Sequence, residues 1–208
     1  MADTLIFYTN PMSRGRMVRW MLEEVGVPYE TRVLSYGADM KSPEYLSINP
    51  MGKVPAIVHG DAVVTEVAAI CCYLADTFPE VALVPQRGRA RAAYYRWMFF
   101  AAGPLEAAVV NHALNVQVPD DKRGFVGYGS FETVMDTLEH AVSTADYIAG
   151  DRFSAADVYV GSHVLWGLKF GSIEKRPAFE AYAARLRDRP AARRADEIDD
   201  ALLAAAKS

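Results

Sequence analysis

Hydrophobic and polar positions along the first part of the chain follow two periods, and the switch between them separates strands from helices. Thr4 to Tyr8 predicts a strand. Ser13 to Val25 predicts a helix, because its apolar positions recur at helical spacing: Met17, Val18, Met21, Leu22 and Val25. Gly26 ends that helix, and Tyr29 to Leu34 predicts a second strand. A strand, a crossover helix and a second strand indicate a βαβ unit with two parallel strands.

The next segment predicts a hairpin followed by a helix. Pro43 to Leu46 is typical of a short helical turn. Val54 to Val58 and Ala62 to Val64 predict two strands, separated by a three-residue turn that contains glycine. Glu66 to Asp76 predicts a helix with one apolar face. The predicted order is therefore β-α-β-α-β-β-α, an α/β domain over residues 1–78.

The chain from Pro79 onward predicts a linker and then only helices. Residues 79–88 contain Pro79, Pro85 and Gly88 and show no periodicity, which indicates a linker. Residues 89–208 form an all-α domain, and Ser154 with Asp157 has the S-x-x-D spacing of a helix cap. The predicted helices are Arg89 to Val118 with a kink at Gly103-Pro104, Phe131 to Ile148, Ala155 to Leu168, Phe179 to Arg187, and Asp196 to Ala206.

Composition limits the class of partner. About half of the residues are apolar (51%) and the net charge is -4, which argues against a nucleic-acid binder and favours a small-molecule or protein partner. Apolar runs such as Trp97 to Pro104 fall short of the roughly 20 residues that span a membrane, so we expect a cytoplasmic protein without a membrane partner. Cys71 and Cys72 are adjacent and predict reduced packing residues, with Cys71 buried. Neither they nor the four histidines have the spacing of a metal site.

Three patterns coincide in the first domain: a helix that opens at Ser13 after the first strand, "NPMGKVPAI" before the hairpin and "VVTEVAAICCYLAD" after it. Together with "FSAADVYVG" and "RPAFEAYAARLRDRPAARRA" in the second domain, they make essentially the whole chain resemble cytosolic glutathione transferases, especially bacterial, serine-type members. The resemblance implies an α/β thioredoxin-like N-terminal domain joined to an all-α C-terminal domain. It also implies glutathione as co-substrate, no metal, and a homodimer.

The resemblance places glutathione on the first domain. Pro55 is expected to be cis, so that the backbone of Val54 binds an extended peptide like an added strand. Thr65 and Glu66 lie where a strand ends and a helix begins, where a ligand carboxylate is favoured and Glu66 meets an ammonium. Val67 is a departure, because the family commonly has a serine there and valine has no hydroxyl for the ligand.

Two further groups of residues are candidates for ligand contact. Lys41 and Lys53 are expected to meet the glycyl carboxylate, although an isolated lysine is more often a solvated surface residue. Aromatic residues are too many between Tyr94 and Phe100 for one helix face, so some are expected to line an electrophile site, although core packing is the alternative for each. The candidates for that site are Tyr95, Phe100, Trp166 and Phe170.

The first helix start supplies the candidates for thiol activation. The pKa of a free thiol is ~8.5, so a transferase must stabilise the thiolate of glutathione at neutral pH. Ser13 ranks first as the donor, Tyr8 second and Asn10 third, with positive potential from Arg16. The alternative for Ser13 is a helix cap without a role in chemistry.

At the level of the whole protein, the alternative to an enzyme is a non-catalytic binding or regulatory protein on the same scaffold. A cysteine-based reductase is disfavoured, because this helix opens with serine and no cysteine.

Overall fold

The computed structural model describes residues 4–206, and their contacts form two units. The first unit holds the chain up to Ala82 together with the part from Asp188 onward, and the second spans Leu83–Arg187. This grouping differs from the predicted boundaries of 1–78, 79–88 and 89–208, because the last helix belongs with the first unit.

The first unit is built on a four-stranded mixed sheet with the order β2-β1-β3-β4. Its strands are β1 (Leu5–Thr9), β2 (Glu30–Val33), β3 (Ala56–His59) and β4 (Ala62–Thr65). β1 and β2 are parallel, as the βαβ pattern predicts, and β3 and β4 form the predicted antiparallel hairpin. The helices between them are α1 (Gly15–Val25), α2 (Pro43–Ile48) and α3 (Val67–Thr77). This is a thioredoxin-like domain.

The two faces of the sheet bury different residues. Leu5, Phe7 and Thr9 of β1 are buried, whereas Tyr8 is half-buried and packs against a cluster that includes Met40 and Tyr45. α1 starts directly against the end of β1. A Cβ at Gly15 would lie 2.0 Å from the Thr9 hydroxyl oxygen, so only glycine permits this approach.

The predicted burial of Cys71 on α3 is confirmed, and burial raises the pKa of its thiol.

The second unit consists of α4 (Arg89–Phe100), α5 (Glu106–Ala113), α6 (Phe131–Thr144), α7 (Ala155–Phe170) and α8 (Pro177–Arg187). The kink predicted at Gly103-Pro104 falls in a π-helical segment, Ala101–Leu105, because proline cannot donate to the helix ladder. The predicted end at Val118 is wrong. α5 stops at Ala113, and Asn115 takes a left-handed conformation with φ 54°. α6 likewise stops at Thr144, short of the predicted Ile148.

The predicted cap of α7 is confirmed as a reciprocal capping box between Ser154 and Asp157. The buried Asp157 carboxylate accepts hydrogen bonds from the Ile148 N–H at 2.7 Å, the Tyr182 hydroxyl at 2.8 Å and the Ser154 N–H at 2.9 Å. Burial outweighs these donors and raises the pKa of Asp157 to about 6.

The last helix, α9 (Pro190–Ala205), begins six residues before the predicted Asp196, with Pro190 in the first turn, where proline is tolerated. It packs against α1 through ion pairs. The Arg19 Nε and Asp199 Oδ1 atoms are 3.3 Å apart, and each side chain is 1% exposed. Arg19 also donates to the Tyr29 and Thr31 hydroxyls. These charged contacts between distant segments explain why α9 joins the first unit. The pattern of apolar residues gave no indication of them, because it contains no information on ion pairs.

Among residues 4–206, none of the helices has the length and the apolar composition needed to span a membrane.

Candidate functional site

Strand register brings most of the predicted site residues to one edge of the sheet. Tyr8 pairs with Ala56, and Ala56 pairs with Thr65, so the end of β1, the start of β3 and the end of β4 form one row. The segments that adjoin this row are residues 8–13, 53–55 and 65–67. We call these three segments the site edge. They contain the candidate thiol-activating residues and most of the candidate glutathione-binding residues.

The loop between β1 and α1 is closed by local hydrogen bonds. The Asn10 carbonyl accepts from the Ser13 N–H at 2.9 Å and from the Ser13 hydroxyl at 2.7 Å. The Ser13 Oγ in turn accepts from the Gly15 N–H at 2.9 Å, one of the first N–H groups of α1. The Asn10 side-chain amide donates to the Leu34 carbonyl at 2.8 Å. The hydroxyl of Ser13 is therefore held at the start of the helix and contacts the backbone on both sides.

Tyr8 lies next to the segment that precedes β3. Its ring centroid is 5.6 Å from that of Tyr45, and both rings belong to a cluster that includes Val54. The Tyr45 hydroxyl donates to the Lys53 carbonyl at 2.6 Å, and partial burial raises the pKa of Tyr45 to about 12. Tyr45 thus fixes the backbone immediately before Val54.

The Val54–Pro55 peptide bond is cis, as the resemblance implied. The Lys53 carbonyl accepts a second hydrogen bond from the Asn49 side chain at 2.8 Å, so the chain before Val54 is held at two points. Among the residues that the structure describes, neither the N–H nor the carbonyl of Val54 has a hydrogen-bond partner. Both backbone groups are therefore left to solvent or a ligand.

Glu66 connects β4 to α3 in a conformation that non-glycine residues rarely adopt, with φ 64° and ψ 120°. Such a backbone costs on the order of 1–3 kcal/mol and is concentrated at functional sites. The Glu66 side chain is exposed and does not cap α3. The start of α3 therefore presents backbone N–H groups beside an exposed carboxylate, with the buried Val67 as the first helical residue.

The two candidate lysines differ in their contacts. The Lys41 ammonium donates to the Met51 carbonyl at 3.0 Å, so it lies against the loop that leads to Lys53. Gly52 in that loop has φ 57°, and a Cβ there would lie 2.6 Å from the Lys41 Nζ. Lys53 is exposed. The structure thus holds one cation against this loop and leaves the other at its surface.

Arg16 points its guanidinium toward α9. Its Nε donates to the Pro11 carbonyl at 2.7 Å, and its two Nη atoms meet Asp196 at 3.3 Å and Asp200 at 2.5 Å. Sequence reasoning missed these two acids and Tyr36, whose hydroxyl donates to the Met12 carbonyl at 3.2 Å. A usable signal was present, because Asp196 and Asp200 are four residues apart and therefore share one helix face.

The four candidate electrophile-site residues lie in the second unit, on α4 and α7. Tyr95 is 44% exposed, and its hydroxyl accepts a long hydrogen bond from Arg91 at 3.4 Å. Phe100 packs edge to face on Trp97, with 5.2 Å between ring centroids. Trp166 and Phe170 pack on each other with 6.1 Å between ring centroids, and Phe170 is 70% exposed.

Within residues 4–206, no group of three or more His, Cys, Asp or Glu side chains is arranged to hold a metal ion.

Comparison with known families matches both halves of the chain. Residues 12–77 match the model described as glutathione S-transferase, N-terminal domain, and residues 130–190 match glutathione S-transferase, C-terminal domain. Glutathione S-transferase A of Pleuronectes platessa is 30% identical over 181 residues, which cover 82% of this chain and 80% of the relative. A glutathione S-transferase of Xanthomonas campestris pv. campestris is 29% identical over 191 residues, with 86% and 91% covered.

Solved structures agree with these relatives. The theta class glutathione S-transferase of Xanthomonas axonopodis pv. citri, with glutathione bound, is 28% identical with a TM-score of 0.73, and the match covers 93% of this chain and 97% of that one. A glutathione transferase of Methylococcus capsulatus is 27% identical with a TM-score of 0.76, covering 95% and 99%. On the combined evidence of fold, family models and relatives, the chain belongs to the glutathione S-transferase family and is an enzyme of that family.

Proposed function

We propose that this enzyme binds glutathione at the site edge and activates its thiol as a thiolate for addition to hydrophobic electrophiles. The observation that carries the proposal is the start of α3, where the strained backbone of Glu66 places an exposed carboxylate beside helix N–H groups. The bound glutathione in the solved relatives from Xanthomonas axonopodis pv. citri and Pseudomonas fluorescens supports the choice of ligand.

The γ-glutamyl end of glutathione carries an ammonium and a carboxylate, which match this helix start. In the proposal, Glu66 meets the ammonium, and Thr65 with the first N–H groups of α3 receives the carboxylate. Val67 adds no hydroxyl here, so the backbone N–H groups provide more of the binding. The unbonded N–H and carbonyl of Val54, ahead of the buried Pro55, pair with the peptide backbone of the ligand.

The glycyl carboxylate is assigned to the lysines of the adjoining loops. Lys53 is exposed next to Val54, and the Lys41 ammonium lies against the same loop. Both contacts involve exposed cations, so each is expected to contribute no more than about 1 kcal/mol. The main determinant of affinity is therefore Glu66 with the start of α3.

Ser13 is the proposed thiol-activating residue, which makes this a serine-type member. Its hydroxyl now donates to the Asn10 carbonyl, and rotation about the Cβ–Oγ bond would redirect that proton while Oγ still accepts from the Gly15 N–H. A neutral hydrogen bond contributes about 0.5–1.5 kcal/mol, and a bond to a charged group about 1.5–3 kcal/mol. Exchanging the first for the second favours the thiolate, and the positive end of α1 adds to this.

Tyr8 and Asn10 remain the second and third candidates. The Tyr8 ring lies near Val54, so its hydroxyl belongs to the same site edge. The Asn10 amide group carries two N–H donors, one of which bonds to the Leu34 carbonyl. Either residue therefore has a donor for a thiolate, and substitution must decide among the three.

The electrophile site is assigned to four aromatic side chains of the second unit: the exposed Tyr95 and Phe170 and the half-buried Phe100 and Trp166. We also propose a cytoplasmic homodimer, on the basis of the family resemblance and the exposed Phe99 and Tyr95 side chains. Sedimentation at micromolar concentration tests the assembly, and a mass near the 22.9 kDa of one chain would contradict it.

The alternative to catalysis is a binding or regulatory protein on this scaffold. An assay with a generic aromatic halide separates the two, since only the enzyme forms the conjugate.

The decisive experiment on the thiol is to titrate the thiolate absorbance of bound glutathione in Ser13→Ala, Tyr8→Phe and Asn10→Ala. Loss of a bond worth about 1.5–3 kcal/mol predicts that Ser13→Ala raises the thiol pKa by roughly one to two units. Tyr8→Phe and Asn10→Ala should leave that pKa nearly unchanged. A low pKa in Ser13→Ala with a raised pKa in Tyr8→Phe would assign the role to tyrosine instead.

A further inference from the structure

The contact between α1 and α9 includes several ion pairs, and these pairs fall into two groups. At the start of α1, Arg16 meets Asp196 and Asp200 of α9, and Arg19 meets Asp199. At the end of α1, Glu23 and Glu24 accept from Arg194 at 3.2 Å and from Arg189 at 2.6 Å. The helices therefore run in opposite directions, and only the first group lies next to the loop that carries Ser13.

Arg16 joins that loop to α9 with a single guanidinium group. Its Nε donates to the Pro11 carbonyl, while its two Nη atoms meet Asp196 and Asp200. The side chain is 13% exposed, whereas the two acids are 73% and 66% exposed. A planar guanidinium fixes the directions of its N–H bonds, so the position of the two acids constrains the position of the Pro11 carbonyl.

The Pro11 carbonyl belongs to the same short turn as Ser13. The Asn10 carbonyl is already engaged by Ser13, and the Met12 carbonyl accepts from Tyr36. Arg16 thus supplies the hold on the carbonyl between them. The two carboxylates also offset the positive charge of the guanidinium, which leaves less potential to act on a thiolate directly.

We propose that Arg16 is a positioning residue and that Asp196 and Asp200 of α9 control thiol activation through it, by fixing the loop that presents Ser13. This proposal deepens the proposed function and rests on it. The acids on α9 thereby tune the reaction without contact with glutathione, and Arg16 acts through the Pro11 carbonyl rather than as a free cation.

Two variants separate positioning from a direct charge effect, because the two explanations predict different changes in the pKa of the bound thiol. The double variant Asp196→Asn with Asp200→Asn removes two negative charges near Arg16, so a direct charge effect would lower the pKa of the bound thiol. Positioning predicts that this pKa rises by about one unit, which is about a tenfold fall in the ionisation constant of the bound thiol. Arg16→Lys keeps the charge but loses the planar fork, so positioning predicts a rise and a direct charge effect predicts no change.

The measurements are the thiolate titration of bound glutathione and the split between kcat and KM. We expect kcat, measured at a pH below the thiol pKa, to fall about tenfold in both variants, with KM for glutathione changed less than about threefold. Arg194→Gln is the matched control, since it removes an α1–α9 ion pair that does not touch the loop, and it should leave the thiol pKa unchanged. An unchanged or lowered pKa in the double variant would overturn the proposal.

Amide hydrogen exchange provides a second readout that does not need glutathione. The Ser13 and Gly15 N–H groups are hydrogen-bonded within the loop, so a loosened loop should exchange at least about tenfold faster at these amides in the double variant. Arg194→Gln should not change them. Failure of the wild-type protein to bind glutathione would refute the proposed function alone. Unchanged exchange in the double variant would refute the positioning role in either case.

Discussion

Helices α3 and α7 begin in opposite ways, and the contrast separates a site for a ligand from a site for folding. The start of α7 is buried and closed by its own residues, since Asp157 and Ser154 satisfy the free N–H groups. The start of α3 has no side-chain cap, an exposed carboxylate and a strained backbone at Glu66. The first arrangement lowers the energy of the fold, whereas the second raises it and presents unpaired groups at the site edge. An outlier of the second kind is the better indicator of function.

The largest expected effect comes from opening the closed start. Asp157→Ala should lower the free energy of unfolding by at least about 3 kcal/mol, because the buried donors of Ile148, Ser154 and Tyr182 lose their acceptor at about 1–3 kcal/mol for each group left unsatisfied. Urea unfolding at about pH 8, where the carboxylate is ionised, measures it. The control is Ser130→Ala, which removes the partly exposed cap of α6 and should cost about 1 kcal/mol. Equal losses in the two variants would mean that burial of the α7 cap adds nothing.

Relieving the strain at the open start should separate stability from binding. Glu66→Gly should raise the free energy of unfolding by about 1 kcal/mol, because glycine accepts a positive φ. The same change should weaken glutathione binding about 10- to 100-fold, since it removes a charge-assisted contact. Urea unfolding and isothermal titration measure the two effects.

Ala82→Gly is the matched control for the strain, because Ala82 has φ 55° and lies outside the site edge. It should stabilise the fold to a similar or smaller extent and leave glutathione binding unchanged. If Glu66→Gly also leaves binding unchanged, the conformation of Glu66 serves no ligand and the contrast between the two helix starts loses its meaning.

The smallest predicted effect concerns Val67. A serine there would add a hydroxyl at the start of α3, so Val67→Ser should tighten glutathione binding about 2- to 10-fold, the worth of one neutral hydrogen bond. It should also destabilise the fold by about 1–2 kcal/mol, because Val67 is only 8% exposed and its methyl groups are buried. Val67→Ala is the control that loses the methyl groups without gaining a hydroxyl. Equal affinity in the two variants would remove the proposed role of this position.

Sequence predicted the parts of the molecule that local periodicity determines. The parallel strands of the βαβ unit, the hairpin, the cap of α7 and the kink at Gly103-Pro104 each depend on residues close together in the chain. The place of α9 depends on charge pairs between residues 165 or more apart, such as Arg189 with Glu24 and Arg19 with Asp199, and no local pattern contains these pairings. Arg16 looked from sequence like a free cation near Ser13. The four-residue spacing of Asp196 and Asp200 indicated that these acids share a helix face, but not that Arg16 meets that face.

At the candidate site, the sequence and the resemblance supplied the residues and the cis peptide bond of Pro55, but not the strand register or the conformations of Glu66 and Ser13. The register of β1, β3 and β4 was needed to bring residues 8–13, 53–55 and 65–67 to one edge. The positive φ of Glu66 could not be foreseen, because glutamate does not favour it and only the surrounding fold enforces it. The bonds of the Ser13 hydroxyl to both neighbouring backbone groups likewise emerged only from the structure.

The central claim is that the open start of α3 binds the γ-glutamyl end of glutathione. Isothermal titration of the protein with glutathione and with the dipeptide Cys-Gly, which lacks that end, tests it most directly. The claim predicts binding of glutathione at millimolar concentration or below, and at least about tenfold weaker binding of the dipeptide. It also predicts that Glu66→Gln narrows this difference. Equal affinity for the two peptides, or no binding of glutathione at millimolar concentration, would contradict it.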